Sequence, residues 1–267
     1  MKSSNIKLAL LVFIMPLYFC CRKVINVNLN NAAPQIVIEG NVTNTAGPYQ
    51  VQIAQTVAFS ADNTFPPVSG AYVKITDVTT GGSELLTEIT PGTYSTLLFP
   101  QGVPGHTYQL YVLANGQTYT ATSTMPQPVV MDSLSFQILS NFGKTQINTQ
   151  ANFQDPIGIA NYYTFQEYIN SKLLQQTFVF DDRLSDGKYI VSNLYTDSSY
   201  ISVGDTIAVN MSCVDKNVYN YFNTLQQAAD ANGFQTATPS NPVTNLSNNA
   251  LGYFSASTVN SKRAVVE

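Results

Sequence analysis

The sequence predicts a mainly β protein: a seven-stranded β-sandwich, then a second β-rich domain with one amphipathic helix. Three observations carry this. Short segments alternate apolar and polar residues with a period of two, as half-buried strands do. Turn residues such as Pro91-Gly92 and Asn115-Gly116 punctuate them at short intervals. Only one stretch, near residue 218, has apolar residues at helical spacing.

The first half contains seven such segments. They are Gln35–Gly40, Tyr49–Val57, Ala71–Asp77, Glu84–Ile89, Thr93–Phe99, His106–Leu113 and Gln117–Ser123. Tyr49, Val51 and Ile53 share one face of the second, and Tyr108, Leu110 and Val112 one face of the sixth. Short strands with frequent turns and no helical period imply an antiparallel sandwich spanning residues 35–125. Met125-Pro126-Gln127-Pro128 breaks the pattern, because two prolines within three residues cannot continue a central strand. A domain boundary is placed there, and the second domain runs over residues 129–260.

Strands resume at Met131–Ile138, Thr145–Asp155, Asn161–Tyr168, Leu173–Phe180, Lys188–Asn193 and Thr206–Val214. Val218, Tyr221, Phe222, Leu225, Ala228 and Ala229 then define a helix over about 215–232, covering an opening of the sheet. Asp215 is the expected N-cap and Gly233 the expected stop. Residues 235–249 read as a loop and Ala250–Thr258 as a last strand. The tail beyond Ser261 reads as short and loose.

Residues 1–20 are read as an address rather than structure. Lys2 and Lys7 precede an apolar run from Leu8 to Phe19 that is shorter than the roughly 20 residues needed to span a bilayer. That is the pattern of a secretory signal peptide. Cys20 and Cys21 stand where cleavage should fall. Cleavage before Cys21 leaves a small residue ahead of it, whereas cleavage before Cys20 leaves Phe19. Cys21 is therefore the expected lipid-attachment residue and residues 21–34 its tether. Only Cys213 then remains, in an apolar run that marks a buried, inert thiol.

Composition narrows the function. The chain has 12 Lys plus Arg against 16 Asp plus Glu, for a net charge of −4, which argues against a nucleic-acid partner. Only 10% of residues are charged, so the polar surface must come from Asn, Gln, Ser and Thr. A zinc site needs several His, Cys or carboxylate ligands together, and the chain has one histidine, His106. No Gly-x-Ser-x-Gly elbow and no phosphate-cradling glycine loop is present. No catalytic residue, resident metal or cofactor is assigned.

Two features remain as candidate sites. Asp181, Asp182 and Asp186 form a carboxylate cluster between two strands. It reads as a solvated turn, as oxygen ligands for calcium, or as paired acids for hydrolysis. The second is a crowd of tyrosines. Tyr162, Tyr163 and Tyr168 share one strand and Tyr219 opens the helix. Exposed tyrosines can stack on a sugar or pack on a partner. The absence of Trp weakens the sugar version.

Several segments carry a family resemblance. Cys21-Arg-Lys-Val-Ile leads to Ile36-Val-Ile-Glu-Gly40, then Gly70-Ala-Tyr-Val-Lys-Ile-Thr-Asp77, Pro91-Gly-Thr-Tyr94 and Gly105-His-Thr-Tyr-Gln-Leu110. The second half has Asp155-Pro-x-Gly158, Asn161-Tyr-Tyr163, Tyr219-Asn-Tyr-Phe222, Asn241-Pro-Val-Thr-Asn245 and Leu251-Gly-Tyr-Phe-Ser-Ala256. In order and spacing these resemble the Bacteroidota outer-membrane lipoproteins catalogued as domain of unknown function 4249. Arg22 departs from the acidic residue that follows the lipid Cys in such proteins, which leaves the facing side of the membrane open. The resemblance implies an Ig- or transthyretin-like first domain and an outer-membrane, lipid-anchored protein found alongside TonB-dependent uptake receptors. The expected function is thus a non-enzymatic binding or accessory module whose small-molecule ligand is unknown. The alternatives are an adhesin or surface-assembly subunit joined by edge strands, and a hydrolase built on Asp181, Asp182 or Asp186.

Overall fold

The computed structural model describes residues 33–58, 64–141, 144–195, 201–230 and 241–267. The leader, Cys20, Cys21 and Gly233 lie outside the described residues. Among those described, no helix is long and apolar enough to cross a membrane.

The first half forms eight strands: β1 (Ile36–Thr43), β2 (Gln50–Gln55), β3 (Tyr72–Asp77), β4 (Ser83–Leu85), β5 (Thr87–Thr90), β6 (Thr93–Ser95), β7 (Thr107–Ala114) and β8 (Gln117–Thr124). Strands β4-β3-β7-β8 make one sheet, and β1-β2-β6-β5 belong to a second. Alternation places Ile38, Val51 and Ile53 of the second sheet in one core with Val73, Ile75, Leu110 and Val112 of the first. Tyr108, Leu110 and Val112 share the buried face, as their spacing predicts.

One expected strand is in fact two. The segment at 84–89 divides at Leu86, with β4 pairing to β3 and β5 to β6. Leu86 is buried, and its amide donates to the Val73 carbonyl (2.8 Å). The chain crosses between sheets at this corner, which periodicity does not reveal.

The second half contributes β9 (Met131–Asn141), β10 (Lys144–Gln154), β11 (Tyr162–Ile169), β12 (Lys172–Asp181), β13 (Tyr189–Leu194), β14 (Thr206–Cys213), α1 (Lys216–Asp230) and β15 (Leu251–Val265). Strands β13-β10-β9 form a third sheet. Met131 and Phe153 from it share a core with Tyr163, Phe165, Val209 and Met211. This core begins at Val129, whereas Met125 belongs to the first, so the proline pair stands between the two.

Strand β15 changes the expected topology. It pairs parallel to β1 and antiparallel to β14, so one eight-stranded sheet runs β12-β11-β14-β15-β1-β2-β6-β5 through both halves. The first sandwich is therefore not purely antiparallel. Nor is the tail loose: Lys262 to Val265 pair with β14, and Val266 is buried in the second core. The polar appearance of Ser261-Lys-Arg263 hides this, because backbone pairing does not depend on side-chain polarity.

Helix α1 starts as expected. Asp215 Oδ1 accepts the Asn217 and Val218 amides (2.8 and 3.0 Å). The helix lies on the outer face of the large sheet rather than over an opening. Val218, Tyr219 and Phe222 pack with Tyr162, Val179 and Val214, and the rings of Tyr221 and Phe222 meet Tyr253 tilted and edge-on.

Gly252 is the tightest point of this arrangement. Its φ is +95°, and an added Cβ would stand 2.1 Å from the Ile38 carbonyl oxygen of β1. Both the dihedral and the contact demand glycine. Gly252→Ala is expected to cost about 3 kcal/mol or more in urea unfolding. Gly116→Ala, at positive φ with nothing within 4 Å of the added Cβ, should cost only about 1 kcal/mol.

Candidate functional site

Among the described residues, a group of three carboxylates lies where two loops meet, between β10 and β11 and between β12 and β13. The hairpin β11–β12 pairs Tyr162 with Asp181, which sets Asn161 opposite Asp182. The Asp182 amide donates to the Asn161 carbonyl (3.3 Å), and the Asn161 amide donates to Asp182 Oδ2 (2.8 Å). Asp155, at the end of β10, accepts the Tyr163 hydroxyl on Oδ1 and the Gly187 amide on Oδ2 (3.0 Å). Asp186 Oδ1 accepts the Gly158 amide (2.7 Å), tying one loop to the other. Carboxylate oxygens of Asp155, Asp182 and Asp186 thus lie within 4.8 Å of one another. Asp155 and Asp182 are buried, and Asp186 is exposed. Burial, together with the Asp155 and Asp186 charges, pushes the Asp182 carboxyl above its ordinary range.

The trio read from sequence is therefore only partly brought together. Strand alternation turns Asp181 away from Asp182. Asp181 instead bonds the Arg183 Nε (2.7 Å) and accepts the Tyr219 hydroxyl (2.6 Å). Burial opposes its charge, but these bonds hold its carboxyl below the usual range. Asp155 takes its place, from 26 or more positions earlier in the chain. Its sequence signal was the Asp155-Pro-x-Gly158 turn, which reads as a loop and gives no hint of its partners.

The tyrosines separate as sharply. Tyr163 is fully buried, with its hydroxyl on Asp155, so it cannot meet a ligand from solvent. Its ring fills the second core against Phe153. Tyr219 is largely buried, and burial with the Asp181 hydrogen bond pushes its hydroxyl up to about 12. Tyr162 stacks on it at 5.1 Å. Tyr168 is half-buried. Tyr219 does line a shallow groove of about 380 Å³ beside α1, with Asp181, Asn223 and Gln226. A second groove of about 360 Å³ is lined by Gln175, Gln176, Phe222 and Leu225. Both are amide-rich and open.

The loops around the carboxylates carry exposed apolar tips. Ile157 is 81% exposed and Leu184 is 91% exposed, and Ile159 also faces solvent. Sequence reasoning missed them, because an isolated apolar residue in a loop carries no period.

Neither remaining reactive group forms a catalytic set. His106 Nδ1 lies 2.8 Å from Asp77 Oδ2, and its ring stacks near Tyr108. Asp77 also accepts the Thr79 and Thr80 amides (2.9 and 3.3 Å), so the pair fixes the β3–β4 turn to the start of β7. Cys213 is buried, and burial pushes its thiol up, as expected of an inert cysteine.

A family model described as a domain of unknown function, DUF4249, matches residues 22–263. The chain belongs to the DUF4249 family. No curated protein matches it. For this DUF4249 protein the family assignment carries no activity.

Burial opposes the Asp77 charge, but the hydrogen bonds from His106, Thr80 and Thr79 prevail and hold its carboxyl below the ordinary value of 3.8. A carboxylate depressed on folding stabilises the protein above its unfolded pKa, and that contribution fades as pH falls through the folded value. Asp77→Asn should thus lower the melting temperature at neutral pH. As pH falls below the ordinary value of 3.8 and through the lower folded one, the gap to the wild type should narrow, as thermal melts across pH will register.

Proposed function

We propose that this DUF4249 protein is a non-enzymatic, lipid-anchored binding module of the outer membrane, serving as accessory to a TonB-dependent uptake receptor. The observation that carries this reading is the basic–apolar leader ending at Cys20-Cys21, directly ahead of the family match that opens at residue 22. A lipid on Cys21 would hold the β-rich body at the membrane through the short tether to residue 34. The exposed Ile157, Ile159 and Leu184 supply apolar contacts on loops tied by the Asp186–Gly158 bond. Apolar residues on a fixed loop lose little entropy when a partner covers them. The one histidine is engaged with Asp77 and the one described cysteine is buried, which supports binding rather than catalysis.

Membrane fractionation and affinity capture test the two halves of this proposal. Cys21→Ala should move the protein from the detergent-extracted membrane fraction to the soluble one. Continued dependence on detergent would rule out the lipid. Capture from solubilised membranes should recover a TonB-dependent receptor, and Ile157→Asp with Leu184→Asp should weaken that recovery at least about tenfold. Recovery of ladders of self-copies would favour the surface-assembly alternative instead.

A further inference from the structure

We propose that Asp155, Asp182, Asp186 and the side-chain carbonyl of Asn161 form a calcium site. The inference is independent of the lipid anchor and of any receptor.

The carboxylates supply the charge and the spacing. Calcium takes oxygen ligands at about 2.3–2.6 Å, so ligands across one ion stand at most about 5 Å apart. The three carboxylates offer oxygens within 4.8 Å of one another, which one ion can span. Among the described residues, no cationic side chain forms an ion pair with them. Arg183 is engaged by Asp181 on the other side of the strand, and Lys188 Nζ donates to the Leu184 carbonyl (3.1 Å). Two buried aspartates beside a third, with no counter-charge among the described residues, form an arrangement that a cation relieves.

Asn161 is the second and separate observation. It is only 7% exposed, and its Oδ1 is buried without a hydrogen-bond partner. A buried amide oxygen left unpaired costs about 1–3 kcal/mol, so the atom needs a partner. Its direction follows from the strand. Asn161 and Tyr163 are two residues apart and share a face. Tyr163 places its hydroxyl on Asp155. One step beyond the Tyr162–Asp181 pair, the Asp182 amide bonds the Asn161 carbonyl (3.3 Å), which sets the two opposite each other, and opposed residues project to the same side. The side chain that carries the free oxygen therefore projects to the side of the strand where the carboxylates gather.

The chemistry selects the ion. All four donors are hard oxygens, and neither imidazole nor thiolate is among them, which disfavours zinc. Backbone amides from Gly158, Asn161 and Gly187 hold the carboxylates in place, yet each carboxylate oxygen retains acceptor capacity. Asp186 is exposed and opens a path for entry, with water completing the shell.

The test is calorimetric titration of calcium into the purified, chelator-treated full chain, with terbium luminescence as a second readout. One ion per chain should bind and raise the melting temperature. Tyr163, through its contact with Asp155, should sensitise terbium emission. Asp186→Asn alters an exposed side chain and should fold normally, yet weaken binding at least about tenfold. Asn161→Ala should also weaken it, whereas Asp181→Asn should leave it intact. Absence of heat, of a melting shift and of terbium emission at millimolar metal would overturn the site. So would unchanged affinity in Asp186→Asn, or a loss in Asp181→Asn equal to that in Asp186→Asn.

Discussion

Strand β15 is bonded along both edges, parallel to β1 near its start and antiparallel to β14 toward its end. A central strand cannot be removed without exposing two rows of backbone donors and acceptors. This one also feeds both cores, with Phe254 and Ala256 in the first and neighbouring Val266 in the second. The parallel contact is possible only because Gly252 lets its backbone approach Ile38. Strand β15 thereby fixes the place of β1. Asn245 reinforces it: its side chain donates to the Phe254 carbonyl (2.7 Å) and accepts the Phe254 amide (3.0 Å).

The scarcity of charge gives the aspartates a particular use. Asp77, Asp155, Asp182, Asp186, Asp205 and Asp215 each accept at least one backbone amide near a turn or helix start. Their short side chains suit this work: Asp77, Asp205 and Asp215 reach amides two or three positions away, while Asp155, Asp182 and Asp186 bond amides that the fold brings beside them. Asp77, Asp205 and Asp215 lie outside any carboxylate cluster among the described residues. At the β10–β11 and β12–β13 loops the same habit brings three carboxylates together. A cluster formed there serves turn geometry and accumulates negative charge at once.

The tyrosines follow a related logic. Tyr94 sits in the first core and donates to the Val68 carbonyl (2.8 Å) while accepting the Ala71 amide (2.9 Å). Tyr108 accepts the Val103 amide (2.7 Å). Tyr49 bonds the carbonyls of Thr43 and Thr45 (2.8 and 2.7 Å). Each ring fills apolar space while its hydroxyl secures a loop. Tyr49, Tyr94 and Tyr108 thus fasten loops to the first core. That is why Tyr163 proved to be interior although its run of aromatics resembled a contact surface.

Local pattern was legible from the sequence. Alternation located the inward faces of β2 and β7, and Asp215 marked the start of α1, because both depend on residues a few positions apart. The split at Leu86 was not legible, since an apolar residue at a sheet-crossing corner looks like any other inward residue. The carboxylate cluster was half legible: Asp182 and Asp186 are close in the chain, but Asp155 and Asn161 reach them only through strand pairing. The sequence alone determined the mainly β class, the helix start and the family. Tertiary structure decided which strands share a sheet, that the tail belongs to it, and which oxygens gather at one point. Periodicity reports only which way each residue faces, while partner choice depends on register between segments far apart in sequence.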